Sequence, residues 1–304
     1  MSRPVLSCRL HNQQGIALIV TLLALVLITA MVIEFSYGVY TGTNNLYNWR
    51  DSQRLSVMAR SGVNVSARYL SDALKGRTYS YPGSMEFPVE NPVEDFPGSI
   101  TVRIEDETSK FYLNAIVNPR GEKNEVAYGL LVKLLKNLSL DEDIAGRILD
   151  WIDRDSAGEL GDSETGAKNA AIRSVDELLL IHGISREDYD TLLPYVTVYG
   201  AADNSLRINI NGAEKPVLMC LSDDITDELA QRVIDYRKGN PFQFAGDLGQ
   251  VHGFERDVGI PAGILTVKGR DFSIKSTASS DGVKRIIETV VDVEHDSIQY
   301  WKEY

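Results

Sequence analysis

Residues 14–33 read Gln-Gly-Ile-Ala-Leu-Ile-Val-Thr-Leu-Leu-Ala-Leu-Val-Leu-Ile-Thr-Ala-Met-Val-Ile, and the rest of the chain is organised around this stretch. From Ile16 to Ile33 the only polar side chains are those of Thr21 and Thr29. At about 1.5 Å per helical residue, the run approaches the roughly 30 Å hydrocarbon thickness of a bilayer. The stretch therefore predicts one membrane-spanning helix.

The residues on either side of the apolar run predict its orientation. The segment before it carries Arg3 and Arg9 and no acid. A positive flank stays in the cytoplasm, so everything after Glu34 is expected outside. A cleaved secretory signal would have a shorter apolar core and a small-residue exit site, which residues 34–37 (Glu-Phe-Ser-Tyr) do not offer. The span is therefore expected to remain as a single-pass anchor.

Composition restricts the classes of function that the part of the chain beyond the span can have. The chain has 304 residues and a net charge of −12, and the residues after Ile33 suffice for one large or two modest domains. An acidic domain disfavours polyphosphate backbones and suits cations. Only Cys220 follows the span, so no internal disulfide is expected there, and the four histidines show no ligand-like spacing. We therefore expect no enzymatic activity.

A long helix is expected to continue beyond the membrane. No proline occurs between Tyr40 and Lys75, and apolar residues recur near helical spacing. The pattern predicts one helix from the membrane to about Gly76. A simple linker helix leading to a soluble domain is the alternative, but it leaves the length of the apolar stripe unexplained.

The strand signals are split between two distant parts of the chain. Residues 79–98 hold four prolines and are expected to form an irregular connection. Residues 99–106 and 110–114 predict two strands joined by a turn. Residues 265–278 and 283–294 flank Ser-Ser-Asp-Gly, a strong hairpin signal. A small antiparallel sheet is thus expected, with two strands before and two after a long insertion.

The insertion, residues 118–259, reads as mostly helical. Residues 125–138 are amphipathic, and residues 141–152 begin with an acidic first turn. Residues 174–185 and 244–254 share one frame: an acidic helix start, an apolar residue, His-Gly and another apolar residue. Both stretches resemble helix-hairpin-helix modules of the SAM-like kind.

The charges around these two modules bear on nucleic-acid binding. In DNA-binding versions of the motif, backbone N–H groups of the hairpin meet phosphate and basic residues lie nearby. Here Arg186 and Arg256 are isolated among acidic neighbours, which opposes phosphate binding. We therefore interpret the modules as protein-interaction scaffolding and expect no nucleic acid as a partner.

An acidic segment, residues 150–164, is the strongest candidate for a metal site. Carboxylates fall at loop positions 1, 3 and 12 counted from Asp153, with Gly158 at position 6 for the sharp turn. Calcium takes several oxygen ligands from one short segment in this way. Ala157 at position 5 departs from an EF-hand, and a solvated acidic loop is the alternative. The candidate calcium ligands are Asp153, Asp155, Glu159 through its carbonyl, Asp162 and Glu164.

The start of the chain resembles a type IV prepilin leader, because a short basic segment ends in Gly15 directly before the apolar helix. The resemblance implies cleavage by a prepilin peptidase between Gly15 and Ile16 on the cytoplasmic face, followed by methylation of the Ile16 amine. Most pilins carry Glu at the fifth mature position, which here is Val20. A carboxylate in the bilayer needs a compensating partner, and among relatives its absence is typical of minor pseudopilin K. An ordinary single-span anchor with a chance Gly before it is the alternative.

The resemblance extends over most of the chain and is to the type II secretion system protein K family. It rests on the leader, Val20, the split sheet, Phe-Tyr-Leu-Asn at residues 111–114, Asp-Trp-Ile-Asp at residues 150–153, residues 206–211 and 216–218, and the terminal hairpin. It implies an α+β pseudopilin fold interrupted by an inserted all-α domain. Members of the family bind calcium in that domain.

The same resemblance implies a function and partners. The chain would cap the tip of the type II secretion pseudopilus, join minor pseudopilins I and J, and prime assembly for protein export. Further partners would be the major pseudopilin, the inner-membrane assembly platform and the prepilin peptidase. The chain would lie in the inner membrane with its C-terminal domain in the periplasm. The alternatives are a minor pilin or competence pseudopilin that binds DNA, and an anchored periplasmic hydrolase.

These readings divide the chain into six expected segments. They are the leader (1–15), the transmembrane part of the N-terminal helix (16–33), its periplasmic part (34–76), the first part of the sheet (77–117), the inserted helical domain (118–259) and the second part of the sheet (260–304).

Overall fold

The computed structural model describes residues 13–93, 96–154 and 166–304. The chain divides into two compact units, the first ending at Arg54 and the second comprising Leu55–Tyr304. The helices are α1 (Gln13–Leu74), α2 (Glu125–Asn137), α3 (Asp143–Ile152), α4 (Arg186–Leu192), α5 (Lys215–Cys220) and α6 (Asp227–Gly239). The strands are β1 (Ser84–Val89), β2 (Ser99–Asp106), β3 (Phe111–Tyr112), β4 (Val196–Thr197), β5 (Ile208–Asn209), β6 (Leu265–Thr266), β7 (Asp271–Ser280), β8 (Val283–Asp292) and β9 (Ser297–Glu303).

One antiparallel sheet of five strands forms the frame of the second unit, in the order β1-β2-β7-β8-β9. β2 and β7 are neighbours, with Ser99 opposite Ser279, although the insertion separates them in sequence. The turn between β7 and β8 contains Asp281 and Gly282, both at positive φ, as the Asp-Gly pair predicts. The sheet is therefore split in sequence, as expected.

Several details of the predicted sheet are wrong. Residues 110–114 do not pair with β2; instead β3 pairs in parallel with β4. The predicted strand over residues 265–278 is two strands, because β6 pairs in parallel with β5. β1 and β9 were not predicted. The prolines around β1 obscure its strand pattern in the sequence. Pro88 is tolerated because β1 is an edge strand.

The C-terminal part of α1 packs across one face of this sheet. Leu55, Met58, Val63 and Leu70 lie three to seven residues apart and are all buried, so they form one apolar stripe of the helix. The stripe joins buried residues of the sheet in one core, namely Ile100, Val102, Ile104, Phe272, Ile274, Ala278, Ile287 and Val291. This core is what holds the helix to the sheet.

Two features fix the helix in place on the sheet. At Gly62 an added Cβ would lie 3.0 Å from Ile100 Cγ2 and 3.1 Å from Val102 Cγ2, so the helix backbone lies unusually close to the strands. At the end of β9, the Glu303 carboxylate accepts hydrogen bonds from Ser56 Oγ at 2.5 Å and Arg60 Nη2 at 3.0 Å. The last strand is thereby clasped to the helix.

The segment between β2 and β7 is built twice on the same plan. Each copy starts with a short strand, passes through two or three α-helices and a 3-10 helix, and ends with a strand parallel to the first. In the first copy β3 and β4 enclose α2, α3 and α4; in the second β5 and β6 enclose α5 and α6. Because β4 and β5 lie within residues 118–259, the prediction of an all-α domain is wrong. Strands of two residues are too short to show alternation.

An asparagine side chain holds each copy together. Asn114 accepts from Ile172 N at 2.8 Å and donates to Ile172 O at 2.9 Å. Asn211 accepts from Phe242 N at 2.9 Å and donates to Phe242 O at 2.8 Å. Both asparagines are buried, and each occupies the same place after the first strand of its copy. The two asparagine side chains therefore make the hydrogen bonds that a paired strand would make, at the point where the chain turns.

A buried carboxylate ties the insertion to the sheet. Asp106, at the end of β2, is 2% exposed and accepts from Asn209 Nδ2 at 2.6 Å and Thr108 N at 2.9 Å. Ser80 Oγ accepts from Asn209 Nδ2 and from Gly269 N. Desolvation by burial raises the pKa of Asp106 to about 6, although these hydrogen bonds oppose the shift. This cluster joins β2, β5 and the segment that leads into β7.

The first prediction concerns the close approach at Gly62. Gly62→Ala should lower the free energy of unfolding by about 1–3 kcal/mol, because the new methyl group meets packed side chains of the sheet. Gly129→Ala is the matched control, since Gly129 is also helical and an added Cβ there meets nothing within 4 Å. The control should be stabilising by up to about 1 kcal/mol. Urea unfolding of residues 50–304 measures both, and equal effects would contradict this packing.

The second prediction concerns the pH dependence caused by Asp106. Its folded pKa is raised, so between about pH 4 and 6 the folded state keeps a proton that the unfolded state has lost. The contribution of Asp106 to the free energy of unfolding should therefore fall by about 2–3 kcal/mol as pH rises through this window. Asp106→Asn should remove that component from the pH profile of residues 50–304. Identical slopes for both proteins between pH 4 and 7 would show that Asp106 ionises normally.

Candidate functional site

The first part of α1 is an uninterrupted apolar surface. Every residue from Ile16 to Ile33 is exposed within the chain, and Val20 is 59% exposed. The two threonine hydroxyls donate inside the helix, Thr21 to Leu18 O and Thr29 to Leu25 O. Between Ile16 and Ile33, no side-chain hydroxyl is left without a hydrogen bond, so none opposes insertion into a bilayer. The helix is long and apolar enough to cross one.

Large apolar side chains also continue beyond the span. Phe35 is 73% exposed and Trp49 is 65% exposed, and Tyr37, Tyr40 and Leu46 are exposed as well. An apolar surface of this extent marks a region that is covered by lipid or by other proteins. The sequence pattern identified Leu46 and Trp49 only as helix positions.

The expected cleavage site lies at the start of α1. Gly15 and Ile16 are helical, and an added Cβ at Gly15 would meet nothing within 4 Å. Gly15 therefore has no packing contact with the part of the chain that the structure describes. Residues 1–12 of the expected leader lie outside the described residues, and cleavage and methylation remain predictions.

The two His-Gly stretches form matching turns. Arg147 Nη1 of α3 donates to His182 O, and Arg232 Nη1 of α6 donates to His252 O, both at 3.1 Å. The turns follow 3-10 helices at Val175–Leu180 and Ala245–Gln250. The arginines belong to a repeated pattern that the sequence reading missed, Ala-Gly-Arg-Ile-Leu-Asp-Trp at 145–151 and Ala-Gln-Arg-Val-Ile-Asp-Tyr at 230–236.

These turns differ from the expected helix-hairpin-helix modules. A helix, α4, follows the first turn, but no helix follows the second between Phe254 and Ile264. In the second turn, Gly253 N donates to Glu255 Oε2 at 2.7 Å and His252 Nδ1 lies 2.8 Å from Glu255 Oε1. Hydrogen bonds from its own backbone N–H, His252 and Gly253 N lower the pKa of Glu255 to about 2. A carboxylate therefore accepts the hydrogen bond of the backbone N–H group that would otherwise bind a phosphate, and this disfavours DNA binding.

Only the first part of the acidic segment is described. Asp150 and Asp153 are buried at the C-terminal end of α3. Carboxylates there lie near the negative end of the helix dipole, where a cation is favourable. Asp155, Glu159, Asp162 and Glu164 lie outside the described residues. Among residues 13–93, 96–154 and 166–304, no group of three or more His, Cys, Asp or Glu is placed to hold a metal. Calcium binding therefore remains a prediction.

Comparison with protein families matches the two copies separately. Residues 109–201 match a model described as type II secretion system (T2SS), protein K, and residues 208–268 match a second model of the same description. These ranges coincide with the two structural copies. Together the matches cover about half of the chain and make the family assignment independent of the leader.

Curated relatives and one solved structure agree with this match. Type II secretion system protein K of Pseudomonas aeruginosa is 26% identical over 259 residues, covering 78% of this chain and 76% of the relative. The proteins of the same name from Pectobacterium carotovorum and Klebsiella pneumoniae are 29% and 28% identical, and each alignment covers 66% of this chain and 66% or 67% of the relative.

The fold is similar to a chain in the crystal structure of the GspK-GspI-GspJ complex from the type 2 secretion system of enterotoxigenic Escherichia coli. The TM-score is 0.68 at 19% identity, over 86% of this chain and 99% of that one. At this identity the likeness shows the fold. The two family matches, the curated relatives and this fold together show that the chain belongs to the type II secretion system protein K family of minor pseudopilins.

Proposed function

We propose that this chain is the subunit that caps the tip of the type II secretion pseudopilus and primes its assembly, together with minor pseudopilins I and J. One observation carries the proposal. α1 is a single helix whose C-terminal part is built into the core of the second unit, whereas the side chains of its apolar N-terminal part are exposed among the described residues. Lipid and the helices of other subunits cover these side chains.

The position at the tip follows from Val20 and from the size of the insertion. A pilin-type Glu at this position would need the amine of a neighbouring subunit to compensate its charge. Val20 makes no such demand, so this subunit needs no neighbour ahead of it. The two-copy insertion between β2 and β7 adds bulk that suits an end of a filament. Partners I and J are inferred from the complex in which the similar structure was solved.

The proposal includes the processing and orientation of the chain. A prepilin peptidase cuts between Gly15 and Ile16, the Ile16 amine is methylated, and the second unit lies in the periplasm. The lack of packing at Gly15 supports a glycine kept for recognition by the peptidase. The major pseudopilin and the inner-membrane assembly platform are the further partners, and the role is structural rather than enzymatic.

The third prediction tests the processing step. Gly15→Val should leave the leader attached and abolish secretion, because the peptidase requires glycine before the cut. Gly42→Val is the matched control, since Gly42 also lies in α1 with nothing within 4 Å of an added Cβ. Intact mass spectrometry of the membrane protein reports cleavage, and the culture medium reports secretion. Normal cleavage and secretion in Gly15→Val would refute the proposal.

We also propose that the acidic segment binds calcium through Asp153, Asp155, Glu159, Asp162 and Glu164. The burial of Asp153 at the end of α3 supports it, because a cation would compensate both the carboxylate and the helix dipole. The ion would hold the segment in one shape and so stabilise the insertion without taking part in chemistry.

The fourth prediction tests the calcium site. Calcium at about 100 times its dissociation constant should stabilise residues 50–304 by about 2.7 kcal/mol, and Asp153→Asn with Glu164→Gln should remove this effect. Glu187→Gln with Asp190→Asn removes the same charges at the surface of α4 and should retain it. Thermal melting with and without a chelator measures both. If calcium does not stabilise the unaltered protein, the segment is a solvated loop.

A further inference from the structure

The two edges of the five-stranded sheet differ in how well they are protected against pairing with a further strand. One edge is β1 and the other is β9. β1 contains Pro88, which has no backbone N–H, and the exposed charged residue Glu86. Proline and charge are usual devices that stop an edge strand from pairing with another chain. β9 contains no proline, so the sheet is more open to pairing at this edge.

The hydrogen bonds between β8 and β9 show which backbone groups of β9 face the open edge. Tyr304 N donates to Ile286 O at 3.0 Å, and Ile286 N donates to Tyr304 O at 2.8 Å. Residues of an antiparallel strand face their neighbour alternately, so Lys302, like Tyr304, faces β8. The N–H and C=O groups of Trp301 and Glu303 face away from β8. In the free chain these groups bond to water, so they permit a further strand but do not select one by themselves.

Exposed apolar side chains accompany these backbone groups. Ile298 lies opposite Val291, which belongs to the core between α1 and the sheet. Trp301 lies on the same face, opposite Thr289. α1 covers neither side chain, because Ile298 is 61% exposed and Trp301 is 41% exposed. An edge strand with exposed apolar side chains is a template for pairing with another chain, and an apolar side chain of that chain would remove this surface from water.

The opposite face of β9 carries a cation. Lys302 Nζ lies 4.0 Å from Asp176 Oδ2, at the outer limit of an ion pair. Asp176 belongs to the 3-10 helix Val175–Leu180. Side chains three residues apart are aligned in a 3-10 helix, so Leu179 lies on the same side as Asp176, and it is exposed. A strand added to β9 would therefore be favoured by an acidic side chain near Lys302.

A second copy of this chain fits the edge poorly. Two antiparallel β9 strands in one sheet would be related by a two-fold axis perpendicular to that sheet. Residues 55–74 of α1 pack across the sheet face, so this axis would reverse their direction in the second copy. Copies that are anchored in one membrane by the same helix share one direction. The geometry therefore favours a different protein as the partner.

We propose that the edge of β9 binds an extended segment of another protein as a sixth strand of the sheet. The backbone of this segment pairs with Trp301 and Glu303. Its apolar side chains cover Trp301 and Ile298, and an acidic side chain on the opposite face lies near Lys302. In such strand addition the main-chain hydrogen bonds give affinity and the alternate side chains give selectivity. The site is separate from the N-terminal part of α1, which makes the proposed contacts within the pseudopilus.

The test is calorimetric titration of the full chain in detergent with a capped hexapeptide in which valine and glutamate alternate. The peptide should bind with a dissociation constant of about 1 mM or tighter. Trp301→Ala should weaken the binding about fivefold or more, because a valine of the peptide loses its apolar contact. Phe244→Ala is the matched control, since Phe244 is an exposed aromatic residue of the insertion, and it should leave the binding unchanged.

Two modified peptides distinguish backbone pairing from binding by side chains alone. Only every second residue of a strand points its N–H group at the neighbouring strand. N-methylation of one alternate set, either the valines or the glutamates, should therefore abolish binding, whereas N-methylation of the other set should retain it. Equal losses for the two sets overturn the proposal, as does absence of binding by the unmethylated peptide.

Hydrogen exchange of the unaltered chain gives a measurement that does not depend on the folding of variants. Bound peptide should slow exchange at the backbone N–H groups of Trp301 and Glu303, and it should not change that of Lys302, which already faces β8. Mass spectrometry with fragmentation at single residues measures these rates. Bound peptide without protection of Trp301 and Glu303 overturns the proposal. Protection that rises with the concentration of the chain alone would show a second copy at this edge and would also overturn it.

Discussion

The structure depends on the contact between α1 and the sheet at Gly62. α1 is apolar from Ile16 to Ile33 and still carries exposed aromatic residues at Phe35 and Trp49. In that region the helix has no core of its own. It is held by the stripe from Leu55 to Leu70, where the missing Cβ of Gly62 lets the helix backbone approach β2. The Glu303 carboxylate at the end of β9 secures the same contact. The proposed binding of partners through the first part of α1 depends on this second part being fixed.

The insertion adds a second hydrophobic core to the chain without disrupting the small sheet. β2 and β7 remain neighbours because the segment between them closes on itself twice, each time with a parallel strand pair and a buried asparagine. Asp106 and Asn209 then join the closed segment to the sheet. Burial of Asp106 raises its pKa, so the junction is sensitive to pH.

Sequence reasoning located features that depend on local patterns. The span, the long helix, α2, α3 and the Asp-Gly hairpin follow from periodicity and turn chemistry that neighbouring residues determine. It failed where pairing is non-local: β3 and β4 are two residues each, and nothing in Phe111 or Val196 shows that they meet. The repeat was recognised at its His-Gly turns but not at Arg147 and Arg232, although the pattern around them is repeated.

We propose above all that the first part of α1 requires the helices of other subunits. The most direct measurement is purification of the full chain after co-expression with minor pseudopilins I and J of the same secretion system, with mass determination of the product. We expect one stable assembly that contains all three chains. Association of I and J with each other, while this chain elutes alone, would contradict it.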